Sequence, residues 1–218
     1  MNDSREVIIG RIRERLGRNA ANAAPARATI DAALAAKSAG PRPQPDADPV
    51  AAFQARSGAL ASTVDLVADL ADVPHAVAAY LAEHKLPARA VCVPDLASLD
   101  WRGAGLDVEA RGAVDHDLVG ITGCFRAIAE TGTLMLCTGA ATPATVSLLP
   151  ETHIAVVLAS AIVTGMEEGW AAARAEFGQM PRAVNFVSGP SRTGDIEQTI
   201  VLGAHGPYRV HVVIVRGR

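Results

Sequence analysis

The chain has 218 residues and a formal net charge of −3, with half of its residues hydrophobic and only 4% aromatic. That length holds one substantial α/β domain plus an appendage and excludes two large domains. The charge balance, with no basic stripe interleaved with aromatics, excludes a nucleic-acid binder, so no nucleic-acid partner is expected.

In chain order, residues 4–16 are predicted to form an amphipathic helix with Ile8, Ile9, Ile12 and Leu16 along one stripe. The Ala-rich stretch 19–39 continues as helix around Ile30 and Leu34. Pro41, Pro43 and Pro45 then forbid both helix and strand and mark a linker. Residues 1–48 are therefore expected to be a helical arm with a Pro-rich linker, and residues 49–218 the α/β domain. The arm either folds back on its own domain or docks on another subunit, and homo-oligomer and hetero-assembly fit it equally.

The domain is expected to open with a short helix at 50–56 and a strand within 59–67. A helix at 73–83 follows, with Val77, Tyr80 and Leu81 on its inner face. Strands are expected at 89–93, 117–122, 133–137, 154–158, 183–187 and 210–215, with a helix at 167–177. Strands alternating with helices imply an α/β fold whose largely parallel sheet is covered on both faces.

Cys92, Cys124 and Cys137 are odd in number, widely spaced and set among apolar residues. Without a C-x-x-C pair they build neither a zinc ribbon nor an iron–sulphur cluster, so buried free thiols in a reducing compartment and no metal site are expected. The longest apolar run, 154–163, is too short to span a bilayer. The opening residues carry acids and no hydrophobic signal core, so the expected location is the cytoplasm. Phosphate-loop, dinucleotide, nucleophile-elbow and zinc-helix motifs are all absent. Asp115-His116-Asp117 reads as a solvated turn, and His153 as a capping or core histidine.

Three stretches carry candidate chemistry. Ser188-Gly189-Pro190-Ser191-Arg192-Thr193 follows an apolar strand and precedes a helix expected to start near Thr193. Strand, small-residue turn and helix start form a layout that faces an anion, and it serves equally as a plain connection. Ser188, Gly189, Ser191 and Thr193 are the candidate ligand-binding residues, and Arg192 adds a planar charged fork. Glu130-Thr131-Gly132-Thr133 puts a carboxylate at a strand entrance, where Glu130 is either nucleophile or base or the organiser of the turn through a nearby arginine. His205, in His205-Gly206-Pro207, either meets an anion or caps a strand end. Glu130 and Arg192 are the candidate catalytic residues, with Thr131, Gly132, Thr133 and His205 joining the binding set.

These stretches occur in order with Val119-Gly120-Ile121-Thr122, Ala127-Ile128-Ala129, Ser147-Leu148-Leu149-Pro150, His153 and Asp195-Ile196-Glu197. Together they resemble the LUD domain family, lactate-utilisation protein C type, and Ile8-Ile9-Gly10-Arg11-Ile12-Arg13 with Leu16 resembles that family's opening helix. The resemblance implies a sandwich like ribose-5-phosphate isomerase and the CoA transferases, with sites at strand ends. It also implies a role in converting L-lactate to pyruvate beside two iron–sulphur partner proteins. Since this chain has no cluster, flavin or nicotinamide motif, no cofactor is expected on it and the redox centres fall to the partners. Gly194 stands where the family often has alanine, and Pro143-Ala144-Thr145 where it often has an arginine. The competing expectations are a stand-alone enzyme on a phosphorylated or CoA-linked small molecule, and an adaptor without chemistry.

Overall fold

The first unit, Met1–Gln44, forms two helices, the first charged and Ile-bearing and the second Ala-rich. These are α1 (Asn2–Arg15) and α2 (Ala23–Ala36). Asn19 and Asn22 tie the turn between them, each accepting the other's backbone N–H at 2.9–3.1 Å. Ile8, Ile12, Leu16, Ile30 and Leu34 are exposed, and α2 buries no residue. The computed structural model describes residues 2–36, 38, 40–194 and 200–217.

The second unit, Pro45–Arg218, starts on a helix cap. Asp48 accepts hydrogen bonds from the N–H groups of Val50 and Ala51, and Pro49 occupies the first turn of α3 (Pro49–Ala59), where a missing N–H costs nothing. The chain continues through β1 (Thr63–Val67), α4 (Val73–Glu83), β2 (Arg89–Cys92), β3 (Asp107–Ala110) and β4 (Val119–Gly123). A hairpin of β5 (Arg126–Ile128) and β6 (Thr133–Cys137) leads to α5 (Thr145–Leu148), β7 (Thr152–Leu158) and β8 (Ile162–Val163). The last elements are α6 (Met166–Glu176), β9 (Val184–Val187), β10 (Arg192–Thr193), β11 (Val201–Leu202) and β12 (Arg209–Val215).

Six strands pair in the order β1-β12-β7-β4-β2-β3, every pair parallel. This is the expected α/β sandwich with its largely parallel sheet. Side chains alternate across a strand, so the apolar runs of β7 and β12 serve two cores at once. Ile154, Val156, Val213 and Val215 pack with α4, whereas Ala155, Val157, Val212 and Ile214 pack with Phe53 of α3 and with Leu134 and Leu136 of β6. The second core exists because β8-β5-β6-β9 form a separate mixed sheet behind the first. Helix α6 covers that sheet, with Trp170 against Phe186 at 5.5 Å between rings.

Two sequence expectations need correction here. Thr133–Cys137 and Val184–Val187 belong to the second sheet rather than to one continuous sheet. No helix starts at Thr193, because Arg192 and Thr193 pair antiparallel with Leu202 and Val201. Asp195, Ile196 and Glu197 of the family motif lie outside the described residues. Asp115-His116-Asp117 is a turn, with the Asp117 carboxylate held by Arg111 at 2.7 and 2.9 Å and by the Val114 N–H at 2.7 Å. The Arg111 hydrogen bonds hold the Asp117 carboxyl below the usual carboxylate range.

Candidate functional site

The β5–β6 turn and the segment leaving β9 lie at the same end of the second sheet, since antiparallel β6 and β9 put the start of one beside the finish of the other. Three hydroxyls join them. Thr131 Oγ1 donates to Thr133 Oγ1 at 2.8 Å, and Thr133 Oγ1 shares a hydrogen bond of 2.7 Å with Ser188 Oγ. The base of this cluster is the C-terminal turn of α3. Ser57 Oγ donates to the Gly132 carbonyl at 3.2 Å, and Gly189, at φ +81°, lies so close to the Leu60 carbonyl that a Cβ would overlap it.

Glu130 works locally. Its Oε1 accepts from the Met166 N–H at 3.3 Å, its N–H donates to the Thr164 carbonyl at 3.0 Å, and Arg56 donates to its backbone carbonyl. The carboxylate therefore sits at the N-terminus of α6, where a negative charge offsets the exposed N–H groups. An arginine does organise this turn, but through the main chain rather than the carboxylate. Glu130→Gln keeps the acceptor and loses the charge, and is expected to cost about 0.5 kcal/mol in urea unfolding. A loss beyond about 2 kcal/mol would mean the charge carries much more of the turn than a cap does.

Ser191 connects the remaining candidates. Its N–H donates to the Pro207 carbonyl at 2.8 Å, its carbonyl accepts from Gly203 at 3.0 Å, and its Oγ accepts from the His205 N–H at 3.4 Å. The Ser191 and His205 turns are thus brought together, with the His205 ring exposed. Arg192 is exposed on β10 and makes no ion pair among the described residues. No hydrogen bond or ion pair links Glu130 to Arg192, so the two candidate catalytic residues do not form a contact pair.

A cavity of about 290 Å³ lies elsewhere, and none of these candidates lines it. It opens where the chain leaves β2 and β4, at the carboxyl ends of the parallel strands, and is closed by the far ends of β6 and β9 and by α5. Asp95 supplies the charge of its lining, Asn185 an amide, and Phe125 and Phe177 a tilted aromatic pair with centroids 5.1 Å apart. Thr122 also lines it, bonded to the fully buried His153 at 2.8 Å between Oγ1 and Nε2. Burial lowers the His153 pKa to about 4, so the ring is neutral at pH 7. Cys124 and Cys137 line the same space as free thiols. Burial pushes Cys124 up to about 12 and Cys137 upward too, which keeps both protonated and poorly nucleophilic. The sequence did carry one signal for this place: an aspartate just past a parallel strand, where α/β sheets bind ligands.

A parallel sheet backed by a smaller mixed sheet makes this a two-sheet α/β domain with a cavity at the carboxyl ends of its parallel strands. The sequence model of the LUD domain matches residues 19–215. The chain belongs to the LUD domain family. It is 38% identical over 103 residues to Lactate utilization protein C of Geobacillus sp. (strain WCH70), covering 46% of this chain and 43% of that protein. It is 34% identical over 122 residues to the protein of that name from Bacillus licheniformis, covering 55% and 50%. The chain thus aligns with about half the length of these curated relatives. A crystal structure of a DUF162 family protein from Deinococcus radiodurans superposes with a TM-score of 0.59 at 29% identity, over 80% of this chain and 100% of that one. Among the described residues, no helix is long and apolar enough to cross a membrane.

Proposed function

We propose that this chain is a non-redox cytoplasmic subunit or accessory protein in the oxidation of L-lactate to pyruvate. The observation that carries this reading is its similarity, at 38% identity, to a protein named Lactate utilization protein C. Oxidising the C2 hydroxyl of lactate releases two electrons and two protons, and an acceptor must take the electrons. The three thiols of this chain lack cluster spacing, so iron–sulphur partner proteins take that role. The exposed apolar residues of the helical arm, Ile8, Ile12 and Leu16 among them, are the surface offered to such a partner. A small anion binds at the Ser188–Thr193 turn, with Arg192 as its charge. Support for this last point is the exposed guanidinium, which has no ion pair among the described residues, beside the Ser191–His205 junction.

Reconstitution with two iron–sulphur partners, following L-lactate-dependent dye reduction, tests the reading. Activity is expected to require this chain and to fall about tenfold or more with Arg192→Ala, the effect of losing one charged contact. Full activity without the chain would overturn the subunit role. Full activity with Arg192→Ala would overturn the anion site alone.

A further inference from the structure

The cavity at the ends of β2 and β4 is unlike the proposed anion turn in its chemistry. Its hydroxyls are already engaged within the protein. Thr122 bonds His153, Thr138 donates to the Ala183 carbonyl at 3.0 Å, Thr142 to the Cys137 carbonyl at 2.7 Å, and Ser147 to the Ala144 carbonyl at 3.1 Å. Among the described residues, Asp95, Asn185 and the Cys137 thiol are the lining groups whose polar side chains make no hydrogen bond. No lysine or arginine lines the space. Beside it, the Arg126 guanidinium stacks over the Phe125 ring at 4.4 Å and is paired with Glu176, so a carboxylate or phosphate ligand would meet the Asp95 carboxylate with no unpaired cation on the lining to balance it.

What the lining offers is an acceptor pair on Asp95, a donor–acceptor amide on Asn185, and the Phe125–Phe177 pair as an aromatic wall. A vicinal diol donates one O–H to each carboxylate oxygen, as an acidic residue past a parallel strand does for ribose in dinucleotide-binding sheets. An amide pairs with the donor–acceptor edge of a purine, and a planar heteroaromatic ring packs on phenylalanine. A simple amine would satisfy Asp95 but leave the amide and the aromatic wall without partners. The volume, about 290 Å³, suits a small molecule.

We infer that this cavity binds a ribonucleoside, with its ribose diol on Asp95, its base edge on Asn185 and its base face against Phe125 and Phe177. The ligand is either a free nucleoside or the nucleoside end of a larger phosphorylated molecule whose phosphates lie outside the cavity. The inference stands apart from the lactate reading, and its test uses no partner protein and no lactate oxidation.

Isothermal titration of the full chain with adenosine, 2′,3′-dideoxyadenosine and AMP tests it. Adenosine or AMP is expected to bind at one site, and removal of the diol to weaken adenosine about tenfold or more, as loss of hydrogen bonds to a charged group does. Asp95→Asn and Asn185→Ala are each expected to weaken adenosine by a similar factor. Asp95 is exposed, so its variant should keep the unfolding transition of the parent. Tighter binding of AMP than of adenosine supports the phosphorylated source, and the reverse supports the free nucleoside. No heat with adenosine or AMP at millimolar concentration would overturn the inference. So would adenosine affinity unchanged in both variants, or displacement of adenosine by L-lactate or inorganic phosphate.

Discussion

Gly120→Ala is expected to destabilise the domain by about 3 kcal/mol or more, the range reached when backbone is forced apart in a packed core. Gly120 lies on β4 between β2 and β7, and α5 approaches it so closely that a Cβ would fall inside the Val146 carbonyl oxygen and crowd the Pro150 ring. The obstacle is main chain, which cannot rotate away as a side chain can. Relief requires α5 to move, and α5 contributes Ser147 to the cavity lining. Urea unfolding reads the stability loss. A cost below about 1 kcal/mol would mean that α5 adjusts freely and does not hold the cavity's shape.

Acidification is the second large effect. His153 and His211 are buried with 0% and 1% exposure, and burial lowers both to about 4. His211 accepts or donates at Thr63 Oγ1, 2.8 Å away, stacks on Tyr80 at 4.0 Å, and has Asp65 3.7 Å from Nε2. The Asp65 charge opposes the shift and nearby His84 adds to it, but loss of hydration dominates. Below the ordinary histidine value of about 6.5, the unfolded chain takes up protons that the folded chain refuses, so stability falls as pH falls. The contribution is fully present above about pH 6.5 and shrinks toward pH 4. By about pH 4.5 the loss is on the order of 2 kcal/mol for each ring. Asp117, depressed by Arg111, adds to the loss at still lower pH. Urea unfolding between about pH 7.5 and 4.5 should show a monotonic decline. Stability that stays flat down to pH 5, or imidazole resonances of His153 and His211 that titrate near 6.5, would show these rings to be hydrated instead.

Much of the fold is legible in the residues because the long strands carry strong signals. The apolar runs at 154–158 and 210–215 and the periodicity of 73–83 correspond to β7, β12 and α4. Shorter elements give little to read. Asp107–Ala110 is a largely exposed edge strand, and β5, β8, β10, β11 and α5 have two to four residues each. Such segments exist through their neighbours, not through local preference. The division into two sheets is likewise invisible locally, because Leu134 and Val187 are as apolar as Val156 and their pairing is long-range. The turn at Ser188 is recognisable by its small residues, yet Arg192 and Thr193 pair as a two-stranded ladder instead of opening a helix at Thr193. Glu130 stood out as a carboxylate beside a glycine turn, and its partner Met166 is 36 residues away. The cavity unites Asp95 and Asn185 across an even longer separation, which no spacing rule reaches.

Strand β12 is the last of the described elements, and it lies between β1 and β7 rather than at an edge. During synthesis, β1 has no sheet partner until residues 209–215 have left the ribosome, and β7 presents one unpaired side for the same interval. The sheet therefore closes only once β12 is available, and it folds more slowly than one assembled from local pairs. A nascent chain halted before residue 209 leaves β1 and β7 with open strand edges on either side of the missing β12, which makes it a natural target for chaperones and for self-association.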